Sequence, residues 1–173
     1  MGGIAVALAA QQTIANVFGG VSIIGDRPIT VGEFGRFGDL IGTVEDIGMR
    51  STRIRTLNRT LVSVPNSAFA GYSLENYSSR AKILFNPTFS IKRTTPEERV
   101  RDLVEAIRKM LAANQRVECV PTPVRVTGLT AAALSVEIFC YVLTSDIDEF
   151  YTIQGDLLLA INRIMQEDAV ELA

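Results

Sequence analysis

The sequence predicts three units in series: a membrane α-helix over residues 1–20, a small all-β barrel over 21–80 and an α+β domain over 81–173. Three observations carry this reading. No charged residue occurs between Met1 and Gly25, the first being Asp26. Glycine and β-branched residues then dominate to about residue 80, with turn signals every several residues. Beyond residue 83 the pattern changes to strand, helix, strand, strand, helix.

The first unit is a helix over residues 2–18 that is expected to end near Gly19-Gly20. A signal peptide would need a basic n-region, and no Lys or Arg precedes the apolar run. A transmembrane helix fits better. Gln11, Gln12, Thr13 and Asn16 nevertheless make it a poor helix for facing lipid all round.

In the second unit, strands are expected near 32–37, 40–48, 51–56, 60–64 and 72–78. Thr52, Ile54 and Thr56 alternate with Arg53 and Arg55, so one face packs while the other carries charge. In the third, a strand-like run Ile83–Lys92 leads into Thr95-Pro96-Glu97-Glu98, a capping box with proline at the first helical position. Val100, Leu103, Val104, Ile107 and Leu111 repeat at helical spacing. Strands follow at Val124–Gly128 and Leu134–Leu143. Asp146 with Glu149 then opens a last helix whose buried stripe is Phe150, Ile153, Leu157, Ile161 and Met165. That order makes the third unit an α+β sandwich of ferredoxin-like kind.

Composition narrows the function. Hydrophobic residues are 47% and charged ones 21%, too apolar for disorder. With 17 Lys+Arg against 19 Asp+Glu, the net charge of −2 gives no global field for nucleic acid. The two cysteines, Cys119 and Cys140, form no CxxC, and there is no histidine. These counts argue against a disulfide framework, a zinc site and every Ser-His or Cys-His arrangement. No catalytic residue, metal or cofactor is expected.

The N-terminal helix carries the informative pattern. At about 100° per residue, Ile4 and Leu8 fall on one stripe. Gly3 and Ala7 lie to one side and Ala5 and Ala9 to the other, each roughly 100° away. Both flanks are small-xxx-small patterns, which let helix backbones approach closely in a membrane. A ring of identical helices satisfies both flanks and points Ile4 and Leu8 at the common axis, a constriction that stops ions by dewetting. The pattern alone is equally compatible with a buried or lipid-facing helix. Gln11, Gln12, Thr13 and Asn16 favour the ring, because they are costly against lipid and acceptable against water or other subunits.

At this point the sequence resembles a known family. Gly3–Asn16 is similar to the last transmembrane helix of MscS-like small-conductance mechanosensitive channels. Phe18–Ile29, with Arg27-Pro28, resembles that family's arginine-proline junction, followed by Val31-Gly32-Glu33. Gly42–Leu57, with Thr52, and Val62–Asn66, with Pro65-Asn66, look like its β-domain signature. The resemblance spans essentially the whole chain, and it makes the second unit Sm-like. It implies Ile4 and Leu8 as the hydrophobic seal and Gly3, Ala5, Ala7 and Ala9 as the packing faces. Asn16 would couple the pore helix to the β-domain, and Gly19-Gly20 would be the flexible end of that helix. It further implies a homoheptamer in the bacterial inner membrane, with residues after about 20 cytoplasmic. Such a channel opens under tension after hypo-osmotic shock and passes ions and small solutes.

Two departures stand out. Gln12 occupies the position of a kink-forming glycine, so the hinge assignment there loses its usual cause, and Ile29 replaces an aromatic. The chain is also expected to be a fragment, starting inside the pore helix and stopping before the family's usual final strand. Two rival readings are a soluble Sm-like oligomer that binds RNA and a membrane-anchored scaffold without conduction. The remaining features have simpler explanations. Gly32, Gly35, Gly38 and Gly42 read as turns and bulges, since no Lys-Ser/Thr follows them. Arg50, Arg53, Arg55 and Arg59 read as a solvated or intersubunit face, and Pro65-Asn66 is a turn by default.

Overall fold

The structure, a computed structural model, describes residues 2–173 apart from the side chains of Ala5 and Val6. The packing role expected of Ala5 therefore lies outside the described residues. The chain forms two compact units, Met1–Arg80 and Ala81–Ala173.

The first unit opens with helix α1 (Gly2–Asp26), which runs straight through Gly19-Gly20 instead of ending there. What stops it is Arg27, whose φ of 48° places it in the left-handed region while its amide still donates to the Ile23 carbonyl at 3.0 Å. Pro28 follows and cannot continue a helix. The Arg27-Pro28 pair is thus the helix stop, and Ile29 after it is buried in the core.

Five antiparallel strands follow: β1 (Phe34–Phe37), β2 (Leu40–Ile47), β3 (Ser51–Thr56), β4 (Leu61–Pro65) and β5 (Leu74–Asn76), in sheet order β4-β3-β2-β1-β5. A short helix, α2 (Asn66–Phe69), lies between β4 and β5. Gly42 of β2 has to be glycine, since a Cβ there would sit 2.3 Å from the Arg55 carbonyl oxygen on β3. A bulge between Val44 and Asp46 bends the same strand. Ile29, Phe37, Val44, Ile54, Val64 and Phe69 form the core, and Ile23 of α1 completes it.

The second unit contains β6 (Ile83–Phe85), β7 (Thr88–Lys92), α3 (Glu97–Ala113), β8 (Val117–Leu129), β9 (Ala133–Val142) and α4 (Ile147–Glu167). β6 and β7 both pair with β9 on one side and β8 pairs with it on the other, giving the ferredoxin-like succession. Helices α3 and α4 bury their apolar stripes in one core with Ile91, Val136, Ile138 and Cys140. Leu172 bridges to Ile91 on the outer edge of β7, where the Lys92 amide also donates to the Glu171 carbonyl at 3.1 Å.

Three features of this unit differ from expectation. The run Ile83–Lys92 is broken at Asn86-Pro87, where the Asn86 side-chain Nδ2 donates to the Ile138 carbonyl at 2.9 Å and Pro87 has no backbone N–H to offer. β8 begins at Val117, because its pairing with β9 resumes beyond an irregularity between Cys119 and Val124 that contains Pro121 and Pro123. Pro96 itself caps α3 without any side-chain hydrogen bond, so Thr95 forms no capping box. Asp146 does cap α4, accepting from the amides of Asp148 at 2.8 Å and Glu149 at 2.9 Å.

Candidate pore helix and its seat on the β-domain

Helix α1 is, among the described residues, the one helix long and apolar enough to cross a membrane, with a candidate span at Ala7–Asp26. Its two ends are placed differently. Ile4 is 70% exposed and Leu8 66%, and Gly3, Ala7 and Ala9 are exposed beside them. A Cβ on Gly3 would meet nothing within 4 Å. Farther along, Asn16, Gly20 and Ile23 are buried at i, i+4, i+7 spacing, while Ile14, Phe18 and Val21 on the opposite side are exposed. The second half of α1 therefore lies on its own β-domain, while Gly3, Ile4, Ala7, Leu8 and Ala9 stand exposed ahead of it.

The seat is built from the residues that sequence reading had scattered along the chain. Pro65, at φ −55° and ψ 134°, turns the end of β4 into α2 and delivers Asn66 to the interior. Asn66 is fully buried and satisfied on three sides. Its side-chain oxygen accepts from the Thr52 hydroxyl at 2.9 Å, its side-chain nitrogen donates to the Gly48 carbonyl at 2.8 Å, and its own amide donates to the Arg50 carbonyl at 3.0 Å. A buried polar group with every partner in place fixes the local backbone in one arrangement.

Helix α1 docks on that backbone. Asn16 is 6% exposed, and its side-chain oxygen accepts from both the amide of Ser67 at 3.1 Å and its hydroxyl at 2.7 Å. Gln12, one turn earlier, donates to the same hydroxyl at 3.0 Å. Gly19 and Gly20 permit the contact. A Cβ on Gly19 would lie 2.7 Å from the Asn66 carbonyl oxygen and 2.9 Å from the Ser67 amide nitrogen, and one on Gly20 would lie 2.6 Å from the Asn66 side-chain nitrogen. These glycines mark a close approach of two backbones. They do not end the helix.

Gln12, Asn16, Gly19, Gly20, Thr52, Pro65 and Asn66 thus meet in one place. Gly42 lies elsewhere in the sheet, Arg27-Pro28 sits at the helix end, and Ile4, Leu8, Gly3, Ala7 and Ala9 stand beyond the seat. Ser67 and the Gly48 carbonyl were missed by sequence reading. A serine after Pro-Asn looks like any turn residue, and a carbonyl leaves no mark in sequence. The arginine face of the sheet is partly neutralised. Arg55 grips Glu45 through two hydrogen bonds of 2.6 and 3.0 Å, which holds the Glu45 carboxyl below its ordinary value.

Residues 12–79 match the family model described as the mechanosensitive ion channel beta-domain, and residues 85–172 match that of the mechanosensitive ion channel MscS C-terminal region. The chain is 33% identical over 145 residues to the large-conductance mechanosensitive channel MscMJLR of Methanocaldococcus jannaschii, covering 84% of this chain and 40% of that one. It is 30% identical over 176 residues to the low conductance mechanosensitive channel YnaI of Escherichia coli, covering 100% of this chain and 51% of the relative. The cryo-EM structure of Arabidopsis thaliana MSL1 shares the fold at a TM-score of 0.90 and 24% identity, over 99% of this chain and 62% of that one. Helicobacter pylori MscS in its closed state does so at 0.82 and 21%, over 99% and 66%. The chain spans about half the length of the curated relatives it matches. Because the family's β-domain and C-terminal region are both present, in order, this chain belongs to the MscS family of mechanosensitive ion channels, which are not enzymes.

Proposed function

We propose that this chain supplies the pore helix and cytoplasmic portion of a tension-gated channel subunit, passing ions and small osmolytes on hypo-osmotic shock. The subunits form a homoheptamer in a bacterial inner membrane, with the region after about residue 20 in the cytoplasm. Copies of α1 pack side by side, Gly3 and Ala7 of one against Ala5 and Ala9 of the next. Ile4 and Leu8 then make two stacked apolar rings that keep the closed pore dry. Tension favours the state of larger in-plane area, and only such a difference between states lets it shift the population.

The seat at Ser67 transmits that shift. Gln12 and Asn16 hold the second half of α1 to the β-domain, so a tilt of the first half works against a fixed base. Gln12 serves as a strut where a glycine would serve as a joint.

The observation that carries the reading is the contrast along one uncharged helix: Ile4 and Leu8 exposed, Asn16 buried against Ser67. A helix fastened at one end and bare at the other, with small residues on both flanks, calls for neighbours of its own kind. The test is Leu8→Ser in the full-length protein, expressed in cells lacking their own mechanosensitive channels. A leaky pore with slowed growth is expected, and wild-type growth and conductance would remove Leu8 from the seal.

A further inference from the structure

We propose that the groove between α3 and β8 binds a small aliphatic carboxylate. The groove is open to solvent and offers about 420 Å³, within the range of small-ligand sites, roughly 300–1,000 Å³. Val100 and Val104 of α3 and Val126 of β8 give it an apolar lining, with Glu97, Arg101, Glu105, Arg108 and Arg125 as its charged groups.

Four of those five charges are already answered. Arg101 pairs with Glu97 at 2.6 Å, Glu105 with Lys109 at 3.9 Å, and Arg125 with Glu137 at 2.9 Å. Arg108 differs. One corner of its guanidinium donates to the Val124 carbonyl at 2.7 Å, while its Nε is buried with no acceptor. Among the described residues no carboxylate lies within ion-pair distance of it. A guanidinium anchored at one corner beside an apolar lining, with no carboxylate of the chain opposite it, has N–H donors left for an anionic acceptor.

The chemistry of the lining sets the ligand class. A guanidinium presents parallel N–H donors that match the two oxygens of a carboxylate. The valines take an aliphatic stem, and a single unanswered charge selects a monoanion. Glu97 and Glu105, which also line the groove, would repel a second negative charge.

Binding of hexanoate to the purified protein, measured by equilibrium dialysis, tests this. Hexanamide, which keeps the stem and loses the charge, and adipate, which adds a second carboxylate, should each bind about tenfold more weakly or worse. Arg108→Gln should lose hexanoate binding by a similar factor, while Arg101→Gln should keep it within about twofold. Because Arg108 also holds the Val124 carbonyl, Val126→Glu gives an independent reading. Its carboxylate would occupy the site from within, abolishing hexanoate binding and raising the melting temperature relative to Val126→Gln. The proposal is overturned if hexanoate fails to bind, if hexanamide binds equally well, or if folded Arg108→Gln or Val126→Glu retains the affinity.

Discussion

Replacing Gly19 with alanine separates two accounts of the Gly19-Gly20 pair. If the glycines loosen the helix, alanine should stabilise it by about 1 kcal/mol, the ordinary difference in helix propensity. If they allow close approach, the new methyl meets three backbone atoms of α2 at 2.7, 2.8 and 2.9 Å. Backbone cannot rotate away as a side chain can, so the cost belongs at the upper end of the overpacking range, about 3 kcal/mol. Subtracting the propensity gain leaves a net loss of about 2 kcal/mol. For a unit of this size that lowers the melting temperature by roughly 8–16 °C. Gly25 is the internal control: it sits in the same helix, and a Cβ there would touch nothing within 4 Å. Circular dichroism melts of the purified variants should show Gly19→Ala falling and Gly25→Ala unchanged or slightly raised. A Gly19→Ala protein that melts at or above the wild-type temperature would refute the close-approach account.

Asn16→Ala removes the acceptor of the Ser67 amide, leaving a half-buried donor unpaired at a cost of about 1–3 kcal/mol. Hydrogen exchange at that amide should accelerate at least tenfold, and unchanged protection would show that Asn16 does not hold the helix. Ala7→Val in the full-length protein widens a small packing face and should raise the tension threshold in patch recordings, a role that an unaltered threshold would exclude. The Glu45 carboxyl is held low mainly by its hydrogen bonds to Arg55, and Glu171 is held low mainly by Lys92. A lowered folded value means stability that is present above the unfolded value near 4.5 and lost as pH falls below it. Melting temperature should therefore drop on acidification below that point. Both groups are exposed, so added salt should shrink the drop, and Glu45→Gln should flatten it. A Glu45→Gln profile superimposable on wild type would discard the Arg55 contact as a contributor.

What the sequence discloses here is periodicity, and what it conceals is contact. The stripe Val100, Leu103, Ile107 and Leu111 and the stripe Phe150 to Met165 were readable because burying one helix face imposes a spacing on the chain. The alternation around Thr52 and Ile54 was readable for the matching reason in strands. The glycine pair resisted, because glycine has two opposite uses: it frees a backbone, and it lets another backbone come near. Propensity reports only the first and places a helix end near Gly19-Gly20, whereas the helix continues to Asp26. Only the distance to Asn66 and Ser67 distinguishes the two, and those residues lie far away in sequence. Gln12 points the same way. At the position of an expected hinge the chain carries a good helix former, and its side chain reaches Ser67. Bending at Gln12 would have to break that bond, and bending at Gly19 would have to part a close backbone approach to Asn66 and Ser67. In the proposed channel, a change of helix tilt is then taken up ahead of Gln12, around Leu8, or by the helix and β-domain moving as one body.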